Sequence, residues 1–327
     1  GTTGVDPIPD PYADLADQLY QACQAQINLT IPNSADKITY ANCLEVKKAT
    51  LAVQMKTDNT TAPTPPESPA AYCPSGTPAA AYLAAINGVG REDLFYGYDN
   101  DNQPTAAAER NAMLPFLITA RDAGVRVLVT DYVSTPAWQA LSLASNDTYG
   151  FASFQAPDRE LREIPVTVNH PHPGAVNSLA AATNFLYLLN PENFADRGAY
   201  LTALSNAPHD LLIIDAFHND TNLLTRNEVG SLKYKPGTTT RRLVVAYMSI
   251  GEAENYRYYW QSGWKPGSPS WLAGVNPDWD GNYKVRYWDT NWQALICATN
   301  DSYLTRLIGA GFDGAYLDII DAFEYFE

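Results

Sequence analysis

The stretch Gly311-Phe312-Asp313-Gly314-Ala315-Tyr316-Leu317-Asp318-Ile319-Ile320-Asp321 lies close to the C-terminal end of the chain and indicates how the chain folds. It follows a segment, 302–309, whose apolar spacing predicts a helix. The apolar residues 315–317 then predict a buried strand that carries Asp318 and Asp321 at its C-terminal end. Parallel α/β proteins build their active sites at this end of the strands. The chain stops soon afterwards, so we expect the helix that covers this strand to come from another part of the sequence.

Seven further short apolar segments have the same character, and helical or long connecting segments separate most of them. They are residues 50–55, 86–96, 125–132, 149–154, 185–190, 211–215 and 243–250. Eight such strands predict a (β/α)₈ TIM barrel that forms one domain over residues 1–327, with an irregular Pro-rich loop at about residues 58–80. A doubly wound open sheet is the alternative. It is disfavoured because no Gly-rich phosphate-binding loop opens any of the helices.

The composition limits the class of partner. Hydrophobic residues make up 46% of the chain, which is enough for a large core, and the formal net charge is −15, from 21 Lys and Arg against 36 Asp and Glu. This charge argues against a nucleic-acid partner and suits a neutral or cationic ligand. Because no apolar run approaches the roughly 20 residues of a membrane span, we expect no membrane-spanning segment. We also expect a monomer.

The cysteine pattern favours an oxidising compartment. The four cysteines form no C-x-x-C pair, and three of them, Cys23, Cys43 and Cys73, lie in the first 73 residues. At least one disulfide in a secreted or periplasmic protein is therefore expected, with buried thiols as the alternative. A metal site is not expected, because histidine is scarce and ligand spacings are missing. Five N-x-S/T sequons would permit glycosylation in a eukaryotic host, at Asn28, Asn59, Asn146, Asn219 and Asn300.

Acidic residues stand at or just after the ends of the predicted strands. They are Glu92, Asp131, Asp215, Glu252, Asp318 and Asp321. Each of them alone is most simply a helix cap or a strand-end hydrogen-bond acceptor. Several carboxylates converging on one barrel mouth, however, repel each other and lose hydration, which a purely structural role would avoid. Glycoside hydrolysis requires such paired carboxylates. No G-x-S-x-G, Walker or H-E-x-x-H motif is present, and no cofactor is expected.

Aromatic residues indicate a sugar ligand as well. Six of the seven tryptophans lie between Trp260 and Trp292, in a segment with little helix or strand pattern. Flat aromatic faces beside polar groups suit the apolar C–H faces and hydroxyl edges of sugar rings. We expect about half of these tryptophans to pack the segment onto the barrel. Tyr256, Tyr287 and Trp288 are the best candidates for a binding cleft.

Three long motifs resemble a known family. Residues 247–257, 285–289 and 311–321 read Tyr-Met-Ser-Ile-Gly-Glu-Ala-Glu-Asn-Tyr-Arg, Val-Arg-Tyr-Trp-Asp and Gly-Phe-Asp-Gly-Ala-Tyr-Leu-Asp-Ile-Ile-Asp. They resemble the glycosidases related to glycoside hydrolase family 114, the endo-α-1,4-polygalactosaminidases. The segments 92–97 and 129–132 resemble two further blocks, which in the family follow the third motif and here precede it. The resemblance implies a (β/α)₈ barrel in circularly permuted order. In this order the strand 315–318 is expected to lie between the strands 243–250 and 50–55, and residues 11–28 supply the helix that covers it.

The resemblance also implies roles for individual residues. Asp318 matches the family's proposed nucleophile and Glu92 its proposed acid/base. Asp215, Glu252 and Asp131 match other acidic positions at the barrel mouth. The full set of residues expected to bind substrate is Asp215, Glu252, Asp131, Tyr247, Tyr256, Arg257, Tyr287, Trp288 and Asp321.

The sequence therefore predicts a glycoside hydrolase acting on an α-linked, partly deacetylated galactosamine-type polysaccharide. The two carboxyl groups should lie roughly 5–5.5 Å apart in a retaining enzyme and about 6.5–9.5 Å apart in an inverting one. The alternatives are a non-catalytic carbohydrate-binding barrel and a scaffold without a ligand.

Overall fold

The computed structural model describes residues 83–326 as an α/β fold with parallel sheets. The strands are β1 (Gly88–Glu92), β2 (Arg126–Tyr132), β3 (Ala152–Ala156), β4 (Phe185–Leu188), β5 (Leu211–Ile214), β6 (Phe217–His218), β7 (Asn222–Leu223), β8 (Leu243–Ser249), β9 (Glu252–Glu254), β10 (Leu272–Val275), β11 (Asn282–Val285) and β12 (Gly314–Asp318). The helices are α1 (Ala107–Asp122), α2 (Pro136–Tyr149), α3 (Arg197–Asn206), α4 (Arg226–Leu232), α5 (Thr290–Ile296) and α6 (Tyr303–Ala310), with short 3₁₀ turns at Leu179–Ala181 and Ala322–Tyr325.

Two parallel sheets carry the fold. One has the order β1-β2-β3 and the other β12-β8-β5-β4. The strand β3 lies beside β4, where the rings of Phe154 and Phe185 are 5.9 Å apart, although no ladder joins the two strands in the described range. The strands therefore follow each other in chain order along one curved layer. Because all ladders within each sheet are parallel, their C-terminal ends point the same way.

The two ends of this layer approach each other. A Cβ atom added to Gly90 on β1 would lie 1.9 Å from the hydroxyl of Tyr316 on β12. The missing side chain of Gly90 is thus what lets the Tyr316 ring lie against β1. No ladder closes β12 onto β1 within residues 83–326, so a closed barrel stays a prediction.

The predicted strands are largely confirmed. The predicted segments 86–96, 125–132, 185–190, 211–215 and 243–250 each contain an observed strand, and 315–317 lie within the strand Gly314–Asp318. The prediction for 149–154 was misplaced. Tyr149 ends helix α2, Gly150 follows with φ of +69°, and the strand begins only at Ala152.

The helix signals of the sequence act as expected. The hydroxyl of Ser302 accepts a hydrogen bond from the amide of Thr305 and caps α6, and Gly311 ends that helix with φ of +86°. A residue without a Cβ adopts this left-handed conformation at little cost, so the helix stops there. Thr225 and Glu228 form a capping box at the start of α4. The turn after Gly311 then leads straight into β12.

Paired charges tie the N-terminal ends of the strands together. Asp313, just before β12, accepts hydrogen bonds from Lys233 at 2.7 Å, Arg241 at 2.5 Å and the amide of Val244 at 3.0 Å. Asp210, just before β5, pairs with Lys235 at 2.6 Å. Since these carboxylates have cationic partners, this end of the sheet is charge-balanced. The acids at the opposite end are therefore the ones that need a functional explanation.

Several predictions concern residues before 83 and lie outside the described range. They are the strand 50–55, the covering helix 11–28, the Pro-rich loop, and the disulfide among Cys23, Cys43 and Cys73. The predicted pairing of 315–318 with 243–250 is confirmed by the ladder between β12 and β8. The second predicted neighbour of 315–318 is the strand 50–55, which lies outside the described residues, so the permuted order stays a prediction. No helix within residues 83–326 combines the length and apolar character needed to cross a membrane.

Candidate active site

Glu92 and Asp318 are the last residues of β1 and β12, and parallel pairing brings both to the same end of the layer. The residue after each of them has a left-handed backbone: φ is +60° at Asp93 and +57° at Ile319. A β-branched residue adopts this conformation only under strain, and such strain concentrates at functional sites. The backbone therefore turns sharply just beyond each of the two acids.

Glu92 is held by a tyrosine from the neighbouring strand. The hydroxyl of Tyr132 donates a hydrogen bond of 2.9 Å to Oε2 of Glu92. The pKa of Glu92 is raised to about 7, mainly by burial and further by the negative charges of Asp318 and Asp93. The Tyr132 hydrogen bond and the charge of Arg159 oppose this rise. Glu92 can consequently carry a proton near neutral pH.

Asp318 has a matching tyrosine. The hydroxyl of Tyr247 on β8 donates a hydrogen bond of 2.9 Å to Oδ2 of Asp318. The pKa of Asp318 is also raised, first by burial and then by Asp321 and Glu254. Hydrogen bonds from the amide of Ile319 and from Tyr247 favour the ionised form and work against that rise. The two acids thus have separate donors and unequal surroundings, as general acid/base chemistry requires.

Two more tyrosines lie close to both acids. The rings of Tyr187 and Tyr316 are 5.3 Å apart, and the pKa of each phenol is raised well above its ordinary value, mainly by burial. The charges of Glu92 and Asp318 contribute to both of these shifts. Both phenols therefore stay protonated.

A salt-bridge network forms a second part of the site. Arg257 binds Asp215 through two hydrogen bonds of 2.9 and 2.7 Å, and its Nε donates to Glu254 at 2.8 Å. The hydroxyl of Tyr256 donates to the other oxygen of Glu254 at 2.8 Å. One guanidinium thus binds two carboxyl groups. Of these four residues, the sequence predicted Asp215, Tyr256 and Arg257. Glu254 was missed, although it stands two residues after the predicted Glu252.

Glu252 occupies a different environment. Its carboxylate accepts hydrogen bonds from Nδ2 of Asn276 at 2.9 and 3.2 Å and pairs with Lys284 at 2.5 Å. The side chain is buried, and these partners belong to the β9–β11–β10 sheet and its hairpin. The structure therefore makes Glu252 a link within this sheet, and its contact with substrate stays a prediction.

Asp131 likewise has all its described partners within the protein. Oδ1 accepts hydrogen bonds from the amides of Phe95 at 2.9 Å and Tyr96 at 3.2 Å, and Oδ2 accepts from Ser142 at 2.6 Å and Asn146 at 3.1 Å. The residue is fully buried against α2. Successive side chains of a strand point to opposite faces, so Tyr132 reaches Glu92 while Asp131 points away. Asp131 therefore braces the segment that follows β1.

The tryptophans between Trp260 and Trp292 mostly pack inside the protein. Trp264, Trp271 and Trp292 form a chain of ring contacts 4.9 and 5.0 Å apart, and Trp292 donates a hydrogen bond to the carbonyl of Ile250. Trp279 is 48% exposed. The expectation that about half would pack understates this packing.

Three further predicted residues lie around the last turn. Tyr287 is buried, and its ring centroid lies 4.9 Å from that of Trp288, so its position in a cleft stays a prediction. Trp288 is half-buried and packs on Phe326 at 4.7 Å. Asp321 is exposed and precedes the 3₁₀ turn, close enough to raise the pKa of Asp318. Within residues 83–326 no three His, Cys, Asp or Glu side chains are grouped so as to hold a metal ion.

Comparisons with known proteins relate part of this chain to a glycoside-hydrolase family. Residues 170–326 match the family model of glycoside-hydrolase family GH114. An uncharacterized protein of Deinococcus radiodurans is 43% identical over 124 residues, which are 38% of this chain and 37% of that protein. An uncharacterized protein of Methanocaldococcus jannaschii is 39% identical over 131 residues, which are 39% and 35% of the two chains. An uncharacterized protein of Thermotoga maritima is 49% identical over 81 residues, which are 25% and 24%.

The range matched by the family model includes only part of the candidate site. It contains Asp318, Asp215, Glu254 and Arg257, whereas Glu92 and Tyr132 precede it. The match with each relative spans well under half of that relative's length. Through residues 170–326, this chain is related to glycoside-hydrolase family GH114.

Proposed function

We propose that this chain is a glycoside hydrolase in which Glu92 is the general acid and Asp318 the second carboxylate. The observation that carries the proposal is the convergence of these two acids at the ends of β1 and β12, each held by its own tyrosine at 2.9 Å. The relation of residues 170–326 to family GH114 supports the same reaction class.

The two acids divide the reaction between them. Glu92, with its pKa near 7, gives its proton to the glycosidic oxygen as the bond to the anomeric carbon breaks. Asp318 either attacks the anomeric carbon, forming a glycosyl-enzyme that water then hydrolyses, or removes a proton from an attacking water. The Tyr247 hydrogen bond favours the ionised form that both roles of Asp318 require.

We infer an α-linked amino-sugar polysaccharide, polygalactosamine-like, as the substrate. Beside the two acids lie Asp215 and Glu254, which share one guanidinium from Arg257. The site therefore has an excess of carboxylates, and the whole chain has a net charge of −15. Such a field attracts a cationic chain of free amines and repels an anionic glycan. A monomeric enzyme that is secreted or periplasmic suits a polymeric substrate.

A reducing-end assay on partly deacetylated galactosaminan, chitosan and neutral polysaccharides tests the proposal. Wild-type protein should release reducing ends from the amino-sugar polymer. Glu92→Gln and Asp318→Asn should each lower kcat by about 10²–10⁴-fold. Glu192→Gln is the matched control, because Glu192 is exposed and pairs only with the surface residue Arg162 among the described residues. Binding of the polymer without cleavage by wild type would instead identify a carbohydrate-binding barrel.

A further inference from the structure

Arg159, in the segment after β3, binds the segment that follows Glu92 at three residues. Its guanidinium donates two hydrogen bonds to Asp93, at 3.2 and 3.0 Å, and one to the carbonyl of Gly97 at 2.9 Å. It also donates to Asp101 at 2.8 and 2.6 Å. The segment after β1 is therefore tied to a residue that comes 58 to 66 positions later in the chain.

The same guanidinium covers the tyrosine that holds Glu92. The Arg159 Cζ atom lies 3.9 Å from the centroid of the Tyr132 ring, within cation–π distance. The hydroxyl of that ring donates the hydrogen bond to Glu92. Movement of Arg159 would therefore free the ring to tilt, and the hydroxyl would move relative to the carboxylate.

Arg159 also stabilises the turn that begins immediately after Glu92. Asp93 has φ of +60°, and its amide donates to the carbonyl of Thr130 at 2.9 Å. Gly97 has φ of +114°, and a Cβ atom there would lie 2.3 Å from Oδ1 of Asp93. The carboxylate of Asp93 is thus clamped between Arg159 and the Gly97 backbone. Because Asp93 directly follows Glu92, these contacts fix the end of β1 and the backbone position from which the Glu92 side chain extends.

We propose that Arg159 is a positioning residue for Glu92, acting through the Tyr132 ring and the Asp93 turn without touching substrate. The proposal rests on the proposed role of Glu92 as general acid. Its geometry, however, can be tested without any substrate.

The charges that face Glu92 give the expected direction of the effect. The charged groups are Asp318 on β12, Asp93 in the turn and Arg159 after β3. The phenols of Tyr132, Tyr187 and Tyr316, on β2, β4 and β12, also face Glu92. Arg91 acts on Asp93 and Tyr316. Without Arg159 the carboxyl group faces two acids with less cationic compensation. Its proton is then held more tightly.

The experiment combines a ¹³C NMR titration of the Glu92 carboxyl group with steady-state kinetics. In Arg159→Gln the titration of Glu92 should move to higher pH, and kcat should fall about 10- to 100-fold with little change in KM, because the acid is misplaced. Arg159→Lys keeps a charge but loses the planar fork and the stacking. In Arg159→Lys the titration of Glu92 should therefore return most of the way to its wild-type pH, while kcat should recover little.

Arg162→Gln is the matched control, because Arg162 lies three residues further on and pairs with Asp158 and Glu192 at the surface. It should leave both measurements at their wild-type values. A Glu92 titration that is the same in Arg159→Gln and wild type overturns the proposal. If Arg159→Gln fails to fold, Tyr132→Phe decides the question: a Glu92 titration unchanged there also overturns it. Inactivity of the wild type on every polysaccharide would count against the proposed function alone, since the titration needs no turnover.

Discussion

Asp318 raises the pKa of Glu92, although their strands stand at the two far ends of the layer of strands. This influence requires the layer to curve until β12 and β1 face each other, as the approach of Tyr316 to Gly90 also shows. The acid pair is therefore a product of the curvature of the sheet. No local sequence motif contains both residues.

Replacement of Glu92 by Gln should stabilise the protein at alkaline pH. The folded-state pKa of about 7 lies above the ordinary value of 4.5, so the folded state binds the Glu92 proton more tightly than the unfolded chain does. The stability that this proton provides is complete below pH 4.5 and is lost as pH rises through 7. The loss is on the order of 3 kcal/mol. Chemical denaturation at pH 5 and pH 8 measures it: the wild type should lose more stability than Glu92→Gln, and equal losses would contradict the prediction.

Replacement of Tyr247 by Phe should reduce turnover most strongly at acid pH. The variant removes a hydrogen bond that favours ionised Asp318, so the pKa of Asp318 rises and the acidic limb of the kcat profile moves to higher pH. A hydrogen bond to a charged group contributes roughly 1.5–3 kcal/mol, which corresponds to about 10- to 100-fold in rate. Tyr234→Phe, at an exposed tyrosine, is the control. An acidic limb that does not move would argue against this role.

Replacement of Gly90 by Ala should displace the Tyr316 ring and destabilise the protein. The new methyl group would lie 1.9 Å from the Tyr316 hydroxyl and 2.6 Å from its Cζ atom, so the ring has to move. Overpacking of this kind costs about 1–3 kcal/mol. Gly309→Ala is the matched control, because Gly309 is an exposed helix residue with open space around it, and alanine there should stabilise by up to about 1 kcal/mol. Thermal unfolding that ranks the two variants in the opposite order would refute this.

Replacement of Asp131 by Asn should destabilise the protein and spare its chemistry. An amide can replace only one of the two accepting oxygens, so a buried donor from Ser142 or Asn146 loses its acceptor. The expected cost is about 1–3 kcal/mol in the free energy of unfolding. Activity per folded molecule should stay near the wild-type value. A large rise in KM at full folding would instead restore Asp131 to the substrate-binding set.

Much of the fold was predictable because its signals are local. The apolar run 211–214 is buried on both faces, and the Ser302 cap and Gly311 stop define α6 within its own sequence. The end of α2 was missed because aromatic Tyr149 and Phe151 resemble strand residues, while Gly150 marks the actual helix end.

The site was predictable only in part, because its remaining members depend on strand parity and on long-range contacts. Glu92 and Asp318 are visible as strand-end acids. Asp131 and Tyr132 are neighbours on β2, and only the direction of the side chains decides that the tyrosine reaches Glu92. Arg159 has no motif of its own, since its role comes from contacts with residues about 60 positions earlier. Alternation along β2 is the one signal that could have selected Tyr132 in advance.

The burial of Asn146 has a consequence for producing this protein. Asn146-Asp147-Thr148 is a glycosylation sequon, yet the Asn146 side chain is wholly enclosed and its Nδ2 atom donates to Asp131 at 3.1 Å and to the carbonyl of Ser142 at 3.0 Å. Nδ2 is the atom to which an N-linked glycan is attached. A eukaryotic secretory host that glycosylated the nascent chain at this sequon would attach a glycan to a nitrogen that is buried in the native fold. The modified chain could then not adopt that fold. Thr148 is exposed, so Thr148→Ala would protect the yield in such a host by removing the sequon while leaving the Asn146 amide in place.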